Sequence, residues 1–90
     1  MKTYYKECKT AKQAVSYLKR IGLEDFVDAW YLTSEEFMAR KEFDYDSWQE
    51  FDSNDKPLSG VSIVVTFFCG IYEVSVAKYK AKDLEVVGES

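Results

Sequence analysis

Residues 61–77, VSIVVTFFCGIYEVSVA, change phase part-way along, and that change constrains the fold more than any other feature of the chain. From Val61 to Phe67 the odd positions Val61, Ile63, Val65 and Phe67 are apolar, whereas beyond Gly70 the even positions Tyr72, Val74 and Val76 take over. Side chains alternate across a strand, so a single strand changes phase only at a bulge, but two strands joined by a tight turn at Cys69-Gly70 change phase automatically. The hairpin 61–68/71–79 then pairs Phe67 with Tyr72, Val65 with Val74 and Ile63 with Val76 on one face. Thr66 faces Glu73 and Val64 faces Ser75 on the other. One apolar face and one half-polar face is the requirement of an antiparallel sheet covered on a single side.

The covering layer is written in the first half of the chain. Thr10 and Gln13 form a capping-box pattern, Ala11, Ala14, Val15, Leu18 and Ile21 follow helical spacing, and Gly22 supplies a left-handed stop, which predicts a helix over 11–21. Leu23, Phe26, Val27, Trp30 and Tyr31 repeat that spacing and predict a second helix over 23–31, with a strand as the competing reading of its aromatic and β-branched content. Thr33 with Glu36, and Glu36 with Arg40 four residues on, predict a third short helix ending near Glu42.

Further strands are expected at 3–8, within 43–52 and, as a short edge strand or tail, at 84–87. The segment 53–57, SNDKP, is a turn between two of them, because Asn54, Asp55 and Pro57 are strong turn formers. The expected fold is therefore α+β: an antiparallel sheet of three to four strands with two or three helices on one face. Ninety residues without repeat, linker or low-complexity tract make one small domain, 1–90. Residues 18–30, LKRIGLEDFVDAW, bear a passing resemblance to the helical sequence of sterile-alpha-motif domains. Such domains are all-helical, and the strand pattern of the second half takes this chain elsewhere.

Several chemistries are missing. The chain has no histidine, which removes the commonest general base and metal ligand and leaves neither cysteine an imidazole partner. Its glycines are isolated and form no phosphate-binding pattern. Asp44-Tyr45-Asp46 and Asp52-Ser53-Asn54-Asp55 offer oxygen ligands for a hard cation, but the EF-hand pattern fails at Lys56 and Pro57. The expectation is a non-enzymatic protein without cofactor or bound metal. Cys8 and Cys69 match no metal-ligand spacing, and the start of the chain has no export signal, so reduced thiols in a cytoplasmic setting are expected. The apolar run 61–77 is broken by Ser62, Thr66, Gly70, Glu73 and Ser75, so no membrane span is expected.

Charge is the remaining signal. Residues 1–20 carry a net +5, residues 21–55 a net −9 and residues 56–90 none, so the overall −4 conceals a bipolar chain. Read as a strand, 43–52 turns Phe43, Tyr45 and Phe51 inward and Asp44, Asp46, Trp48, Glu50 and Asp52 outward. With Asp55 these form an acidic row around an aromatic anchor, the complement of a basic groove on a protein partner. The same residues also fit a merely solvated face. In size and charge the chain is similar to phage-encoded inhibitors of host defence that imitate nucleic-acid phosphate, and an inhibitory or modulating protein-binding module is the expected function.

Two other readings compete with it. Lys2, Lys6, Lys9, Lys12, Lys19, Arg20, Lys78, Lys80 and Lys82, with Tyr4, Tyr5 and Tyr79 to stack on bases, would make a nucleic-acid binder, although a pI of about 4.8 opposes it. Val64, Phe68 and Ile71, apolar residues on the face that should be wet, would make a homodimer contact.

Overall fold

The computed structural model describes residues 1–24 and 35–83. In chain order the elements are strand β1 (Lys2–Cys8), helix α1 (Ala11–Arg20), helix α2 (Glu35–Arg40), and strands β2 (Glu42–Phe51), β3 (Pro57–Phe68) and β4 (Ile71–Lys80), followed by one helical turn at 81–83. The strands form one antiparallel sheet in the order β1-β4-β3-β2. The α+β class, the antiparallel sheet and its hairpin are as the sequence pattern requires. The expected helix over 23–31, the capping box at Thr33 and the strand or tail at 84–87 lie outside the described residues.

The hairpin has the expected register, with Phe67 opposite Tyr72, Val65 opposite Val74, Ile63 opposite Val76, Thr66 opposite Glu73 and Val64 opposite Ser75. Its turn residues Cys69 and Gly70 both have positive φ, 53° and 77°, as a two-residue turn that continues the right-handed strand twist demands. Both strands run further than the apolar pattern alone indicates, β3 back to Pro57 and β4 on to Lys80. Pro57 is accommodated because it is the first residue of its strand.

Helix α1 is capped at both ends by its own sequence. Thr10 Oγ1 accepts the Gln13 N–H at 3.1 Å, and Gln13 Oε1 accepts the Lys9 N–H at 3.0 Å, one residue beyond the N-cap N–H of the reciprocal bond in a capping box. At the other end Leu23 N–H donates to the Leu18 carbonyl at 2.9 Å and Gly22 N–H to that of Lys19 at 3.2 Å, while Gly22 takes a φ of +89°. These two bonds with an apolar pair at their ends are a Schellman stop, and the pair, Leu18 and Leu23, is buried. Helix α2 ends at Arg40, two residues before the expected limit. Lys41 adopts a left-handed φ of 59° with its N–H on the Phe37 carbonyl, and Glu42 already belongs to β2.

Both helices pack against the same side of the sheet. Ala14, Leu18 and Leu23 from the α1 region and Phe37 from α2 meet Cys8, Phe43, Val61, Ile63, Val65, Tyr72, Val74 and Val76 in one core. Every strand member of that core lies on the inward-alternating side. Cys8 and Cys69 are both free thiols, the first buried in this core and the second exposed at the hairpin turn. No described helix is long and apolar enough to cross a membrane.

Candidate functional site: the open face of the sheet

Residues paired directly across strands share a face, so the registers assign every strand side chain to one side or the other. The open side receives Thr3, Tyr5 and Glu7 from β1, Ile71, Glu73, Ser75, Ala77 and Tyr79 from β4, Gly60, Ser62, Val64, Thr66 and Phe68 from β3, and Glu42, Asp44, Asp46 and Trp48 from β2. Five of these are acids, Glu7, Glu42, Asp44, Asp46 and Glu73, and none is Lys or Arg. Lys2, Lys6, Lys78 and Lys80 all alternate to the opposite side, where Lys78 Nζ donates to the Ile21 carbonyl at 2.6 Å, at the negative end of α1. The sheet thus separates charge by face, a partition invisible in the net charge of the chain.

Within the acidic side the charges are crowded. Glu42, Asp44 and Asp46 repeat along β2 at the roughly 6–7 Å spacing of alternate strand residues. Glu7 lies directly opposite Glu73 on the neighbouring strand, an arrangement that opposes folding. The Tyr5 hydroxyl donates to Glu7 Oε1 at 3.2 Å, and burial together with Glu7 and Glu73 pushes the Tyr5 phenol above its ordinary pKa. Replacing Glu7 by Gln keeps an acceptor for that hydroxyl and removes one of the two facing charges. The midpoint of urea unfolding should rise, by the equivalent of about 0.2–1 kcal/mol and more at low salt, and the gain should shrink in 0.5 M salt.

The six acidic-row candidates do not stay together. Asp44, Asp46 and Trp48 share the open face, but the β2–β3 register shifts between Trp48 and Glu50 and again between Glu50 and Phe51. Glu50 therefore faces Ser59, which pairs with Lys80 on the lysine-bearing side, and lines a groove there with Leu23 and Lys78. Asp52 holds the following turn, its Oδ1 accepting the N–H groups of Asn54 at 2.8 Å and Lys56 at 2.9 Å, with Asp55 beside it at a φ of 61°. Phe51, expected inward, is 52% exposed, because the irregular register carries the end of β2 out of the helix-covered region. The residues marked for self-association, Val64, Phe68 and Ile71, do lie on the open face, and Phe68 is 72% exposed. Tyr5 and Tyr79 face the acidic side, whereas Tyr4 lies among the lysines, with Lys78 Nζ 5.4 Å and Lys2 Nζ 5.9 Å from its ring.

Trp48 has a neighbour that the alternation of β2 alone does not reveal. Tyr79, two strands away, lays its ring across Gly60, and a Cβ built on Gly60 would stand 2.6 Å from that ring. The ring so placed meets Trp48 edge-on, with centroids 5.2 Å apart and planes at 75°, and its hydroxyl donates to Asp46 Oδ1 at 2.5 Å. Partial desolvation first, then the hydrogen bond to and negative charge of Asp46, push the Tyr79 phenol up to about 12. A glycine inside a strand is the sequence signal for such a close approach, and Gly60 opposite both Trp48 and Tyr79 carries it. Among the described residues no three His, Cys, Asp or Glu side chains come together as metal ligands. No protein-family model, curated protein or solved structure matches the chain.

Proposed function

We propose that the protein is a non-enzymatic interaction module whose open sheet face binds a basic surface of a protein partner and thereby inhibits or modulates it. The observation that supports this most directly is the separation of charge. Five carboxylates and no strand cation occupy the face that no described helix covers, and two of the five, Glu7 and Glu73, are set opposite each other at a cost to folding. Departures from what folding alone favours concentrate where a protein works. A cationic partner relieves that repulsion, so binding and the local electrostatics of the free protein point the same way.

Carboxylates repeating along a rigid strand offer a partner regular negative charge, as a nucleic-acid backbone does, and a groove evolved for phosphate is one natural target. Two copies of this chain meeting face to face through Val64, Phe68 and Ile71 would oppose their own carboxylate rows, which favours a basic partner over that dimer.

The test is a variant with Glu42, Asp44, Asp46 and Glu73 changed to their amides, which keeps side-chain shape and removes four charges from the face. It should fold with unchanged or raised thermal stability. It should also lose the proteins that the native chain retains from a host-cell lysate, with native retention falling as salt is added. Equal retention by the two proteins at every salt concentration rules the proposal out. A native chain that retains nucleic acid, with its recovery abolished by nuclease, replaces this reading with one centred on the lysines of the other side.

A further inference from the structure

The open face is not uniformly acidic; it also has a concave feature. Asp46, Ser47, Trp48 and Tyr79 line a cleft of about 320 Å³ at β2, the last strand in the sheet order. We propose that this cleft receives a single guanidinium side chain from the partner, its plane against the indole of Trp48 and its N–H groups on the carboxylate of Asp46. This inference rests on the acidic-face reading above and says which side chain of a basic partner that face selects.

Three observations carry it. In the edge-to-face arrangement of Trp48 and Tyr79, the edge of one ring is used against the face of the other, and Trp48 remains only partly buried, so aromatic surface stays open to the cleft. Indole is the strongest of the side-chain rings in attracting a cation. Asp46 has no cationic partner among the described residues, and the Tyr79 hydroxyl occupies only one of the roughly four acceptor positions of a carboxylate. That hydroxyl also fixes the carboxylate in place before any ligand arrives. Finally, no strand Lys or Arg shares the face, so nothing on the sheet competes for the cleft from within the molecule.

The choice between the two cationic side chains follows from shape. A guanidinium is planar, stacks on an aromatic ring and presents a fork of donors that fits a carboxylate, whereas an ammonium is a compact and strongly hydrated charge that gains little from a flat wall. Gly60 belongs to the device, because only a residue without Cβ lets the Tyr79 ring lie down against β3 instead of standing over the opening.

The experiment uses the full chain and two capped peptides of equal charge, Lys-Gly-Arg-Gly-Lys and the same peptide with Lys in place of Arg, titrated at low salt and followed by chemical shifts of the backbone and indole N–H groups. The arginine peptide should bind about fivefold to tenfold more tightly and move the Trp48 indole resonance, identified by its loss in Trp48→Leu. Asp46→Asn and Trp48→Leu, each checked for folding by circular dichroism, should bring the two peptides to within about twofold of each other. Asp44→Asn should weaken both peptides alike and leave their ratio. Equal affinities in the native chain, or an arginine preference that survives both Asp46→Asn and Trp48→Leu, overturns the cleft. If the peptides bind equally and binding still needs the carboxylates, the cleft falls and the acidic-face reading stands. If neither peptide binds at millimolar concentration, both fall.

Discussion

Replacing Phe37 by Ala should destabilise the protein by about 3–5 kcal/mol, the largest effect expected of any single truncation among the described residues of the helix-covered side. Phe37 is only 1% exposed and is the bulkiest fully buried side chain among the described residues. Its ring lies 6.0 Å from that of Tyr72 with planes 14° apart, and Tyr72 in turn packs on Phe67 at 4.6 Å. Helix α2 is six residues long, too short to persist on its own hydrogen bonds, and is held by what it buries. Removing the ring therefore leaves a cavity against β4 and also loosens the element that leads through Lys41 into β2.

A domain of this size has about 5–13 kcal/mol of stability in all, so the variant should lose a large part of it. Its thermal midpoint should fall by about 15 °C or more, with far-UV and near-UV circular dichroism melting together. A loss under about 1.5 kcal/mol would mean that the core closes over the gap and that α2 is held by something other than Phe37.

The contrast between what the sequence discloses and what it hides follows from the range of the interactions. The β3–β4 hairpin is readable because its evidence is local. The phase flips across two adjacent residues, Cys69 and Gly70, and the structure gives both of them the positive φ that the turn needs. Helix α1 is readable for the same reason, since Thr10, Gln13 and Gly22 act within one turn of the backbone groups they satisfy. Lys78 keeps the alternation of β4 but is a charge where the pattern calls for an apolar residue, until the fold brings the Ile21 carbonyl within reach of its ammonium.

The face of Glu50 was not readable, because the register shift after Trp48 has no glycine or other mark in β2 itself. An acidic row that alternation extends through Glu50 and Asp52 is thus cut to Glu42, Asp44 and Asp46 on its own strand, while Glu73 and Glu7 join it from strands far away in sequence. The site was half legible: its strand could be found from period-two alternation, but its breadth depends on strand order, which alternation does not encode.

Gly60→Ala should show whether the aromatic cluster is an assembled unit. A methyl group at this position meets two ring carbons and the hydroxyl oxygen of Tyr79 at 2.6–2.7 Å, so the ring must lift away from β3. Because those atoms are the far end of a side chain and not backbone, the expected cost is moderate, about 1–2 kcal/mol, and the fold should survive. The sharper readout is ionisation. In the native chain the Tyr79 phenol is raised to about 12 from its ordinary 10, by desolvation and by its bond to Asp46. A group whose folded pKa is raised binds its proton more tightly when folded. Its contribution to stability is complete below pH 10 and disappears as the pH climbs from 10 to 12. In Gly60→Ala the ring leaves both partners, so the tyrosinate absorbance step near pH 12 should move down toward 10. The stability difference between the native chain and the variant should then narrow over the same interval, and Tyr79→Phe should lack the step altogether. A variant that keeps the step near 12 would show that the ring reaches Asp46 without lying on Gly60, and that the glycine serves only the strand.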